Sequence, residues 1–152
     1  MKRRSCIIGA LAALLAVSSL ACGGDSSSST LPTTPTNAVA DTLIGTVPAP
    51  INGALQSALS NFTSGAGTAS VTLTSAVETM PDGSKLANVV VGLAIGTPSG
   101  STCTLISNVT PAQPSSTVVL SGTVTAGTYC VQVSDVTNQS GPVAYALVVN
   151  HP

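Results

Sequence analysis

The chain carries few groups with which to do covalent chemistry. Its 152 residues include 21 Ser and 20 Thr, so a hydroxyl nucleophile is never scarce and its presence carries no information. What such a nucleophile needs is a base to take its proton. The single histidine, His151, lies beyond the last apolar run on a segment expected to fray. Lys85 follows a Pro81-Asp82-Gly83-Ser84 turn, where pairing with Asp82 reads as a solvated contact of little worth. Glycoside chemistry needs two carboxyl groups facing one cleft, but Glu78 and Asp82 bracket Met80-Pro81, which reads as a loop. Glu78, Asp82, or Asp135 with Asn138 come nearest to a calcium set, without EF-hand spacing, and turn-forming roles account for them more simply. Gly92, Gly96 and Gly100 fall in a strand and a turn rather than ahead of a helix, so they make no phosphate loop. The expectation is a chain without catalytic residues, cofactor or metal.

Of four cysteines, Cys6 and Cys22 belong to the N-terminal segment and Cys103 and Cys130 to the body of the chain. No Cys-x-x-Cys occurs and the lone histidine is distant, so a zinc set cannot be assembled. A Cys103–Cys130 disulfide is expected, stabilising the fold by about 3–4 kcal/mol in the chain-entropy model. With 2% aromatic residues the core is small, and that contribution is a large share of net stability.

The elements that must position these residues begin with an address. Met1–Arg4 is basic and Cys6–Leu20 apolar. Fifteen helical residues rise about 22 Å, short of a roughly 30 Å hydrocarbon core, so a cleaved export signal is expected at 1–21. The sequence Ser19-Leu20-Ala21-Cys22-Gly23-Gly24 resembles the lipobox of bacterial lipoproteins, although its Leu stands two residues before the Cys rather than three. That resemblance implies acylation of Cys22 and attachment to a membrane of the cell envelope, the outer membrane or cell surface rather than the inner membrane. After cleavage Lys85 is the only basic side chain against five acids, so no polybasic patch holds the chain to a surface, and nucleic acid is an improbable partner. Any anchoring rests on the lipid.

Residues 22–40 form a Gly/Ser/Thr/Pro-rich tether without hydrophobic periodicity. Residues 41–152 form the domain. Strands are predicted near 41–47, 61–64, 68–75, 87–95, 102–107, 117–124, 128–134 and 143–149, with turns at 81–83, 96–100 and 141–142. Alternation is clearest where Val71 and Leu73 oppose Thr72 and Thr74, and where Tyr129, Val131 and Val133 oppose Cys130, Gln132 and Ser134. The spacing of Leu55, Ala58, Leu59 and Phe62 suggests a helical turn. The fold class is all-β: an antiparallel, jelly-roll-like sandwich of about seven or eight short strands with one disulfide. Tyr129 and Tyr145 read as core, leaving Phe62 as the one aromatic a surface could offer.

Ala126–Val133 (AGTYCVQV) and Val143–Val149 (VAYALVV), preceded by Ala69–Thr74 and Leu93–Gly100, resemble the closing and earlier strands of the bacterial pre-peptidase C-terminal domain. The resemblance spans roughly Asp41–Asn150 and implies a small sandwich that serves binding or export rather than catalysis. Together these readings suggest a non-catalytic envelope lipoprotein whose sandwich is a binding or structural module, with an envelope protein or glycan as partner. The alternative is a secreted carbohydrate-binding or accessory module without the lipid.

Overall fold

A computed structural model describes residues 38–136 and 139–152; Cys22, the leader, most of the tether and Asn138 lie outside the described residues. Ten strands follow one another: β1 (Val39–Val47), β2 (Ser57–Ser64), β3 (Gly67–Thr79), β4 (Lys85–Ala87), β5 (Val91–Ser99), β6 (Thr102–Leu105), β7 (Thr110–Ala112), β8 (Leu120–Val124), β9 (Gly127–Ser134) and β10 (Val143–His151). They form two five-stranded antiparallel sheets. One runs β1-β10-β3, with β4 and β8 sharing the far side of β3. The other runs β2-β9-β5, with β6 and β7 sharing the far side of β5. Setting β4 aside and counting β6 and β7 as one lane leaves the two interlocked Greek keys of a jelly-roll sandwich.

Alternation builds the core. In β10, Val143, Tyr145, Leu147 and Val149 face inward, while Ala144, Ala146 and Val148 occupy the outer face. Val71 and Leu73 of the adjacent β3, and Leu93, Val131 and Val133 of the opposite sheet, are fully buried with them. The pairing of β3 with β10 shifts register between Ala146 and Leu147, and the Thr74 hydroxyl there donates to the Ala146 carbonyl at 3.0 Å. All ten strands, the apolar core and the disulfide lie within residues 38–152, a self-contained fold.

The sequence expectations need four corrections here. Among the described residues the strands number ten, because β4 is an addition and β6 and β7 divide one lane. The strand expected at 61–64 begins already at Ser57, so β2 replaces the helical turn suggested for Leu55–Phe62, with Ala58, Ser60, Phe62 and Ser64 directed inward. Phe62 is buried against the Tyr129 ring, centroids 5.8 Å apart, and is no surface aromatic. The segment 96–100 is mostly strand: β5 runs to Ser99, and only Gly100-Ser101 turns.

The strand directions give the sandwich two unlike ends. At one end, residues 65–66, 100–101 and 125–126 join successive strands by two-residue turns, and β1 begins there at Val39. At the other end lie the longer connections 48–56, 80–84, 88–90 and 135–142. Nine strand residues separate the ends by about 30 Å.

Candidate functional site

Cys103 of β6 and Cys130 of β9 are bonded, with an S–S distance of 2.04 Å and Cα atoms 6.0 Å apart. The bridge passes over β5, the strand between them, at Gly96. A Cβ on Gly96 would lie 2.7 Å from Cys103 Sγ and closer still to the Thr104 carbonyl, so only glycine fits beneath the bridge. Both cysteines are on the outer face, where Cys130 pairs with Gly96 and Cys103 with Pro98.

His151 is not frayed. It is the last residue of β10, only 5% exposed, and its ring stands 5.4 Å from that of Phe62. Its Nε2 is 3.0 Å from Asp41 Oδ2 and its Nδ1 3.1 Å from the Pro152 oxygen. With both ring nitrogens engaged by oxygens, neither is directed at a Ser or Thr hydroxyl. Pro152 in turn accepts from the Gly65 amide at 2.8 Å. This group fastens the turn end of the sandwich. Sequence offered no sign of it, because Asp41 and His151 are 110 positions apart.

The turn end has a second fastening. The Tyr129 hydroxyl donates to the Thr125 carbonyl at 2.9 Å and lies 3.1 Å from both the Thr125 amide and its hydroxyl, the geometry of a tyrosine corner. Tyr145 instead reaches across the sandwich to Ser60 Oγ, 3.1 Å away, and its ring fills the space that a side chain at Gly45 would need. All three aromatics of the chain are therefore buried.

The loop end is held by carboxylates. Glu78, in β3 and 5% exposed, accepts through Oε1 from the amides of Ser140 at 2.5 Å and Gly141 at 2.9 Å. Asp135, also buried, accepts from the Gln139 amide at 3.1 and 3.3 Å. Gln139 Nε2 donates to the Val90 carbonyl at 3.0 Å, tying the 135–142 loop to the 88–90 loop. The acids are spent on backbone N–H groups, and the pairing weighed from sequence does not form. Glu78 is committed to this loop, while Asp82 accepts from the amide and hydroxyl of Ser84 within its own turn. Those Ser84 hydrogen bonds, the hydroxyl's first, hold the Asp82 carboxyl below its ordinary value. Lys85 lies in β4 and makes no ion pair with Asp82. Among the described residues no three His, Cys, Asp or Glu side chains converge on a metal position.

Outward, the loop end carries the exposed charges of Asp82 and Lys85 on one connection and an uncharged, partly apolar tip on another. Asn52 and Gly53, both at positive φ, make a tight turn between Ile51 and Ala54, and that turn holds Ile51 60% exposed beside the exposed Leu55. Leu86 is also exposed, on β4, which pairs with the Glu78 end of β3 and is separated from β1 by β10 and β3. A separate cleft of about 240 Å³ lies on the flank, between Ile95, Ile106 and Ser107 on one side and residues 120–124 of β8 on the other. It is smaller than the roughly 300–1,000 Å³ of an ordinary small-molecule site. Residues 48–56 are thus the better candidate surface. No family model matches the chain, and no curated protein is significantly similar to it.

Proposed function

We propose that the protein is an exported, non-catalytic lipoprotein of the bacterial cell envelope, and that its sandwich is a binding or structural module displayed on a tether. Acylation of Cys22 and a spacer ending just before β1 would attach the module at Val39. The observation that carries this reading is the opposition of the ends. The chain joins the fold among two-residue turns, and the longer loops with their exposed apolar tip lie about 30 Å away. A module joined to a surface at one end would thus hold its variable connections toward a partner. The buried His151 and the buried carboxylates, each engaged in structural hydrogen bonds, favour holding over turnover.

The burial of Phe62, Tyr129 and Tyr145 favours a protein partner over a glycan, since sugar-binding sandwiches stack exposed rings on their ligands. Intact mass from the native envelope, with and without reduction, tests the anchor. The expected mass is that of residues 22–152 plus acyl chains, rising by about 2 Da when the one disulfide is reduced. Unmodified protein in the medium would overturn the lipoprotein reading and leave a freely secreted module. A crosslinker placed at residue 53 on intact cells tests the partner. Capture of one reproducible envelope protein is expected, and its persistence with the crosslinker moved to residue 101 would remove the role given to the loop end.

A further inference from the structure

The two flanks of the sandwich differ as much as its ends. On one flank the outermost lanes are divided among β4, β8, β6 and β7, strands of three, five, four and three residues, and Lys85 and Pro111 lie within them. Short strands, an edge lysine and an edge proline are the usual means by which a sheet margin avoids joining another. On the other flank the margins are β1 and β2, nine and eight residues long, each paired without interruption to its inner neighbour. Neither contains lysine, arginine, proline or a bulge. Among the described residues β1 pairs only with β10, so its outward row of N–H and C=O groups meets no other strand.

β1 is the more exposed of these two margins. Ala40, Thr42, Ile44 and Thr46 are exposed on its outer face, and Ile44, 75% exposed, is the most exposed large apolar side chain described. The strand is also self-complementary. Antiparallel pairing about a two-fold axis at Leu43 uses all nine residues and sets Thr42 opposite Ile44 of the second copy, a β-branched pair of the kind that stabilises sheets. The one charge, Asp41, then faces Gly45 of the second copy rather than another carboxylate. It already has His151 as its partner within its own chain. Like charges are thereby kept apart, and no side chain at position 45 intrudes on the approach.

We propose that two copies of this chain associate through their β1 edges, antiparallel about Leu43, joining their β1-containing sheets into one continuous sheet. Two nine-residue edges bury less than roughly 1,000 Å², so the pair belongs to the weak, reversible class.

Sedimentation velocity of the chain from residue 23 to 152, over a wide concentration range, tests this. A monomer–dimer equilibrium is expected, with hydrogen-exchange protection across residues 39–47 rising with concentration. Thr42→Lys and Ile44→Lys each place an edge charge on an exposed position and are expected to weaken the dimer by at least about tenfold. Both side chains point to solvent, so the thermal midpoint of the monomer stays unchanged and loss of folding does not confuse the result. A wild-type chain that is monomeric at every concentration overturns the proposal. So does a monomer whose β1 amides are already protected, since the chain's own N-terminal segment then occupies the edge. A dimer that tolerates both substitutions overturns it as well, and its loss in Thr63→Lys would assign the contact to β2.

Discussion

The two ends of this sandwich are closed by different physics. At the turn end the connections are two residues long, and rings and a histidine pack over them: Tyr129 on Thr125, and His151 between Asp41, Pro152 and Phe62. At the loop end backbone bonds such as Val89 N–H to the Ala76 carbonyl satisfy only part of the longer connections, and two buried carboxylates accept further N–H groups. A short turn is fixed by the strands it joins, whereas a longer loop stays in place only if side chains supply the missing acceptors. The two buried carboxylates, Glu78 and Asp135, are therefore spent on loop backbone that would otherwise lack an acceptor.

Four perturbations sharpen or break that contrast. The largest effect is expected from removing the bridge, which lies toward the turn end. The Cys103→Ala, Cys130→Ala pair loses about 3–4 kcal/mol in denaturant unfolding. Hydrogen exchange should then accelerate over residues 102–105 while residues 139–141 stay protected; the reverse pattern would mean that the bridge supports the loops instead. Glu78→Ala leaves the amides of Ser140 and Gly141 without their acceptor and costs about 2–3 kcal/mol, with exchange accelerating at the loop end alone. Tyr129→Phe removes one hydroxyl from the corner and costs about 1 kcal/mol, confined to the turn at 125–126.

The smallest effect belongs to Asp82. Its carboxyl titrates below the ordinary aspartate value because Ser84 hydrogen-bonds the charged form. The stabilisation is thus present above that ordinary value, about 3.9, and is lost as pH falls through the lowered one. Asp82→Asn should remove that slope from the acid limb of a stability–pH curve. Because the group is fully exposed, the change tests the resolution of the comparison rather than the fold.

Much of the architecture was legible in the residues. The eight predicted strands correspond to the eight lanes of the jelly roll, and the cysteines pair as their isolation from any zinc-type spacing suggested. β4 and β7 were not legible, because three residues cannot display alternation and Pro111 argues against a strand. Of β2 only 61–64 was legible as strand; its first half was misread because Ser60 occupies an inward position that the pattern reserves for apolar side chains, leaving a helix-like spacing of Leu, Ala and Phe. Ser60 is tolerated inside because Tyr145 reaches it from the opposite sheet, 85 positions away. The His151–Asp41 and Glu78–Gly141 contacts were hidden for the same reason. They link residues remote in sequence, and no local period announces them.

The pairing of β1 with β10 has a mechanical consequence. The two strands are antiparallel, with Val39 beside His151 and Val47 beside Val143. A load applied at Val39 and resisted at the far loops pulls along β1, and the ladder bonds, perpendicular to the strands, share it simultaneously. A load that draws Val39 and Pro152 apart acts at one end of the ladder and opens it rung by rung. The same nine-residue ladder is therefore strong in shear and weak in peeling, and the direction of pull determines which is met.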